Sequence, residues 1–329
     1  MIGEFGMSVI HFEVSDAAEI RFCISPLWET VRSLHALGDP GRHVVHLPWV
    51  QRMRQVTGEA HLAPQLELLH SFVRPGVWMP DFLTPPPPGP LVSLEEELAV
   101  VRCTQPEVVI ADLQATTVRA PLAKAAKAAL TDPLALLPRL TQAIRVWHDV
   151  AIAPHWTRMR ALLEADIAHR ARQLAEGGAL RLFNTLHPTV HWAGDRIVAN
   201  DPWNLEVDLR GRGLPLMPSV FVDSKVLWNI RADSPPIGIY PARAAATLWE
   251  GAAEARQGLA GVMGATRARL LDMLQVPATT TELARRLDLS PAAVSQNLQS
   301  LHAARLVTRS QHGRSVLYVT TELGIALLR

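Results

Sequence analysis

A chain of 329 residues, 48% hydrophobic and 19% charged, is long enough for two or three domains with buried cores, and no apolar run approaches a membrane span. Its 32 basic and 31 acidic residues leave a net charge of +1, so the whole-chain charge singles out no class of partner. The two cysteines, Cys23 and Cys103, lie far apart in no Cys-x-Cys or Cys-x-x-Cys pattern. This argues against a disulfide framework and fits a reducing cytoplasm.

In chain order, Met1 to Gly6 resembles a cloning remnant with the native start at Met7, and no basic-then-apolar signal pattern follows. The alternating run Val9 to Ser15 predicts an opening strand. Ser25-Pro26 then caps a helix with Leu27, Val31, Leu34 and Leu37 on one stripe, stopping near Gly38-Asp39-Pro40. Shorter helices are expected at Pro48–Val56 and Leu62–Phe72. Residues 7–79 thus form a mostly helical segment. The proline-rich stretch 80–90 reads as a stiff connector, since it suits neither helix nor central strand.

Residues 91–257 read as a helical body with a small sheet, the expected seat of dimerisation and effector binding. Helices are expected at Ser93–Arg102, Pro106–Thr117, Pro121–Leu130, Pro133–Ala151 and Pro154–Glu176, with proline at or near their starts. Past Gly177-Gly178 the character changes. A short helix runs to Leu186, followed by a hairpin around Gly194-Asp195, two β-rich runs around Gly211 and Gly213, and a strand in "VLWNI". Pro241 to Gln257 reads as a helix leading out of the body.

Nine tryptophans stand against two tyrosines, and none lies after residue 263. Trp147, Trp156, Trp192 and Trp228 are candidates for an effector pocket, with core packing as the alternative for each. His43-x-x-His46 and the pair His187 and His191 lack a placed third ligand, so no metal site or cofactor is assigned. The glycine-rich nucleotide fingerprints and the Gly-x-Ser-x-Gly nucleophile motif are missing, and no catalytic residue is assigned.

The last 66 residues differ in charge, with eight arginines against four acids. Arg267–Gln275 predicts a helix. Thr279-x-x-Glu282 is a capping box opening a short helix to Asp288. Ser290-Pro291 caps the next, whose Val294, Leu298 and Leu301 form a buried stripe. Its other face carries Ala292, Ala293, Gln296, Gln299, Ser300 and Ala303, with Ser295 at the edge, and no charge. Such a face could approach a groove floor, with glutamines to pair with adenine; the alternative is an alanine-rich surface. Leu306–Arg309 and Ser315–Val319 form a hairpin around Gln311–Arg314, and Thr321–Arg329 closes with a helix. Three helices followed by a hairpin make a winged helix-turn-helix over 264–329. The expected fold class is α+β and mainly helical: a large N-terminal helical domain with a small antiparallel sheet, then the winged domain.

The stretch from "TTTELARRLDLSPAAVSQ" through "GRSVLYVTTELG" resembles the DNA-binding domain of ArsR-type bacterial regulators. It departs at Asn297, often His there, and at Arg305, often Gly. The remainder is similar to long ArsR-type regulators of high-GC bacteria in "SPLWETVRSL", "HLPW", "PSVFV" and "YPARAAATLWE", which brings no known effector. Thiolate metal sensing does not carry over, because Thr279 and Thr281 stand at the positions of the Cys-x-Cys pair.

The expected function is a repressor that binds operator DNA as a homodimer, since one short helix covers few bases, and that is released by a small molecule bound in the large body. Ser290, Ala292, Ala293, Ser295, Gln296 and Gln299 would meet bases. Arg285, Arg286, Arg309, His312, Arg314 and Ser315 would meet phosphates or an adjacent groove. The alternatives are a metal-dependent or other enzyme fused to a regulatory wing, or an interaction module that no longer binds DNA.

Overall fold

The computed structural model describes residues 6–75, 79–117, 121–201, 204–222, 224–230, 236–249, 259–275, 277–287, 289–312 and 315–328. The chain divides into two compact units, 1–245 and 246–329. The fold is mainly helical α+β with a C-terminal helix-turn-helix region.

In the first unit the helices are α1 (Val14–Ala18), α2 (Pro26–Gly38), α3 (Leu47–Val56), α4 (Ala63–His70), α5 (Leu94–Arg102), α6 (Pro106–Thr116), α7 (Lys124–Ala129), α8 (Pro133–Ala151) and α9 (Ala153–Leu186). Ser25 caps α2 by accepting the Trp28 amide, with Pro26 at the first helical position. Its stripe Leu27, Val31 and Leu34 is at most 1% exposed. Helix α8 is the hub: α2, α4, α5, α6, α7 and α9 all pack against it. Trp147 of α8 is fully buried and donates its indole N–H to Ser33 Oγ at 2.9 Å. Trp49 donates likewise to the Ala151 carbonyl at 2.9 Å. Each ring therefore buries a large apolar area without stranding its one donor.

The described strands of the first unit form two four-stranded mixed sheets. One has the order β3 (Val190–Trp192), β4 (Arg196–Asn200), β1 (Met7–His11), β5 (Glu206–Asp208), with β1 antiparallel to β4 and parallel to β5. The other has the order β2 (Ile20–Phe22), β6 (Leu214–Ser219), β8 (Ile237–Pro241), β7 (Leu227–Asn229), parallel except for the last pair. The expected sheet is antiparallel; the observed ones are not wholly so, because β1 and β2 return from the N-terminus to pair with distant segments. The expected opening strand likewise stops at His11, and Val14–Ala18 is helix α1. There Asp16 and Glu13 form a capping box that overrides the alternating pattern. Asp16 also accepts the Gly213 amide at 2.8 Å. Gly213 has φ +65°, and a Cβ there would meet Glu19 Cβ at 2.6 Å, so close approach requires glycine.

Helix α9 is broken at Gly177 and Gly178, the latter at φ +62°. The expected helix 241–257 does not form over its described part, 241–249: Pro241 ends β8, the Ala242 amide still pairs with the Ser219 carbonyl, Ala244 is left-handed at φ +59°, and 245–248 are a 3-10 turn, while 250–257 lie outside the described residues.

The second unit contains α10 (Ala265–Met273), β9 (Ala278–Thr279), α11 (Thr280–Leu287), α12 (Pro291–Ala303), β10 (Val307–His312), β11 (Ser315–Thr320) and α13 (Glu322–Leu327). It has its own core, in which Leu270, Leu283, Val294 and Leu298 are fully buried. Each such side chain contributes roughly 1.5–3 kcal/mol by leaving water. Among the described residues no helix is long and apolar enough to cross a membrane.

Candidate nucleic-acid interface

Helices α11 and α12 are set by their caps. The Glu282 carboxylate accepts the Thr279 amide at 2.8 Å, and Thr279 Oγ1 accepts the Glu282 amide at 3.3 Å. The Thr279 amide, with help from its hydroxyl, holds the Glu282 carboxyl below the usual range. At the far end the Leu289 amide returns to the Ala284 carbonyl at 3.0 Å, closing α11. Ser290 Oγ then accepts the Ala293 amide at 3.2 Å and starts α12 with Pro291 in its first turn. Asp288, at the turn, lies outside the described residues.

The burial of α12 divides cleanly. Val294, Leu298 and Leu301 are at most 2% exposed. Ser290, Ala292, Gln296 and Gln299 are exposed, and Ala293 and Ser295 are half-buried at the edge. Ser300 and Ala303 continue the exposed face, and Ser300 Oγ donates to the Gln296 carbonyl at 3.2 Å. The glutamine side chains therefore share a surface with small neighbours. Asn297 is withdrawn from it, donating its amide to the Ala293 carbonyl at 2.8 Å. That i−4 bond is a local contact the sequence pattern does not announce.

Arg285 and Arg286 are exposed on α11, and Arg309 is exposed on β10 opposite Tyr318. The hairpin pairs Val307 with Thr320 through to His312 with Ser315 without a bulge. His312 and Ser315 are described in backbone only, and Gly313 and Arg314 lie outside the described residues. His302 ties the end of α12 to the wing through its Nδ1, 3.0 Å from the Val307 carbonyl.

The structure does not gather the four candidate tryptophans. Trp147 belongs to the core around α8. Trp192 stacks on Phe183 at 5.5 Å, and Trp228 is buried in the same sheet core opposite Gly238. Trp156 lines a cleft of about 400 Å³ shared with Leu91, Ser93, His148 and Arg160. No local signal marks this cleft, because its walls come from separated segments. His43 and His46 have ring centroids 6.3 Å apart. Among the described residues no group of three His, Cys, Asp or Glu could hold a metal ion.

Residues 265–310 match the model of a helix-turn-helix domain. Residues 7–143 match a family of unknown function, DUF5937. No curated protein matches. Among solved structures, two mutant forms of ZitR from Lactococcus lactis are similar to part of the chain. The first is 30% identical over 19% of this chain and 46% of that one, with TM-score 0.19. The second, an apo form, is 28% identical over 22% of this chain and 58% of that one, with TM-score 0.20. The chain thus spans about half the length of these structures. The C-terminal unit is a helix-turn-helix domain, a module by which transcription regulators bind DNA.

Proposed function

We propose that the chain is an ArsR-type transcription regulator, a repressor that binds operator DNA as a homodimer and leaves it on binding a small molecule. The observation that carries this reading is the exposed, uncharged face of α12, with Gln296 and Gln299 among small residues. A surface kept soluble by chance would carry charge; a face that enters the major groove needs close approach and amide groups that pair with bases. Arg285, Arg286, Arg309 and Arg314 are the candidate phosphate contacts that position the domain. A 13-residue helix covers few base pairs, so two copies on half-sites about one helical turn apart are expected. The first unit supplies dimerisation and effector binding. An effector shifts the population off DNA by its differential affinity for the two states.

The test is a mobility shift on DNA from the protein's own promoter, at two salt concentrations, against a scrambled duplex. Wild type should bind selectively and lose affinity with salt. The double variant Gln296→Ala, Gln299→Ala should fold normally and lose about 1–3 kcal/mol of discrimination per lost base contact. Undiminished selectivity in that variant would remove the assigned readout.

A further inference from the structure

The cleft at Trp156 lies wholly within the first unit and is lined by residues of 24–26, 91–94, the end of α8 and the start of α9. Trp156 and Arg160 come from the first turns of α9, His148 from the end of α8, Ser93 from the cap of α5, and Leu91 from the end of the proline-rich stretch. That stretch is held by the isolated bridge between Ile24 and Leu91 and by the Ile24 amide donating to the Pro90 carbonyl at 3.0 Å. The walls are therefore anchored, while the surface they offer is apolar and uncovered: Leu91 is 58% exposed and Trp156 is half-buried. A volume of about 400 Å³ is in the range of small-molecule sites.

The polar groups of the cleft are backed by carboxylates outside its lining: Glu96 on Ser93, Asp149 on His148 and Glu164 on Arg160. Arg160 is its cation, and no carboxylate lines it. Glu164 meets Arg160 Nε at 2.8 Å, with both side chains about half exposed. Such an exposed pair is weak and leaves the terminal guanidinium nitrogens for another acceptor. The His148 side chain is 13% exposed, and burial pushes its pKa down, so it is neutral near pH 7. Its Nδ1 meets Asp149 at 3.4 Å. A tryptophan, an exposed leucine and a guanidinium among its lining residues suit a flat apolar molecule with one negative end.

We infer that this cleft binds a small planar aromatic carboxylate, its ring between Trp156 and Leu91 and its carboxylate on Arg160. This deepens the regulator reading by giving the effector a site and a chemical class, and it rests on that reading only for its consequence on DNA.

The experiment is isothermal titration calorimetry of the full chain, without DNA, using 2-naphthoate and its neutral amide as probes. Naphthoate should bind at a single site, with affinity lower by about tenfold for the amide and for Arg160→Leu. Leu91→Glu places a carboxylate on an exposed wall, so it should fold as wild type, checked by thermal melting, and lose binding. Absence of binding at millimolar naphthoate would overturn the inference, as would undiminished binding in Leu91→Glu. Mobility shifts with naphthoate separate this inference from the regulator reading. Binding that leaves DNA retention unchanged removes the effector role, whereas failure to bind DNA at all counts against the regulator reading alone.

Discussion

Arg305 has φ +60°, a left-handed conformation that costs an L-residue about 1–2 kcal/mol. It follows α12, and its amide donates to the His302 carbonyl at 2.9 Å, while the Leu306 amide reaches back to Leu301 at 2.9 Å. Those two bonds are a Schellman motif, whose left-handed position favours glycine. Arg305→Gly should therefore raise stability by about 1 kcal/mol, read as a higher urea midpoint at unchanged slope; a lower midpoint would mean the arginine side chain compensates. Glu29 and Glu97 are residue-scale tensions of another kind. Each is buried and accepts two backbone or hydroxyl donors: Glu29 from the Val220 and Phe221 amides at 3.0 and 3.4 Å, Glu97 from Ser25 Oγ at 2.5 Å and the Leu27 amide at 2.8 Å. Burial nonetheless pushes both pKa values up to about 7. Between about 4.5 and about 7 the unfolded chain gives up these protons while the folded chain keeps them, so their contribution to stability falls as pH rises through that window. His35 acts oppositely, since burial pushes it down to about 3 and its contribution is lost as pH falls below the unfolded value. The carboxyl part is isolated by comparison: Glu29→Gln and Glu97→Gln should each be less stable than wild type at low pH and recover relative to it towards pH 7 and above, measured as the difference in Tm. A difference that does not change with pH would show that the carboxyl group keeps an ordinary pKa.

At the scale of elements, the break in α9 is bridged by ions. Asp166 and Arg170 side chains are 1% and 4% exposed and stand 3.7 Å apart. Arg170 donates to the Thr185 carbonyl at 2.7 Å and the Leu186 carbonyl at 3.3 Å, beyond Gly177-Gly178, so it holds the two parts of the helix together. Asp166→Ala leaves that guanidinium buried without its carboxylate and should cost about 3–5 kcal/mol, measured by denaturant unfolding; a loss below about 1 kcal/mol would mean water replaces the carboxylate. The glycine pair is legible as a break in the helical pattern, and so are the proline-started helices α2, α6 and α8, because caps and stripes are written within a few residues. The bridge across the break is not legible. Nothing local distinguishes Asp166 and Arg170 from an ordinary surface pair four apart. Helix α1 and strand β2 were similarly hidden, being short and dependent on Gly213 and β6 for their partners.

For the whole molecule, two units with separate cores should unfold as two transitions in calorimetry. Leu298→Ala, in the core of the second unit, should cost roughly 2–5 kcal/mol and lower one transition while leaving the other in place; a shift of both would show that the units unfold together. The sequence by itself determined the helix-turn-helix and the face of α12, since a capped helix with a 3.6-residue stripe sorts its own residues into inside and outside. It also determined most helix starts, through serine, aspartate and proline. Only the tertiary structure decided which distant strands pair, that three of the four tryptophans pack in cores, and that Trp156 meets Leu91 and Arg160 in a cleft. Those outcomes depend on segments far apart in the chain being brought together by burial, and the cost and reward of that closure are not recorded in any local pattern.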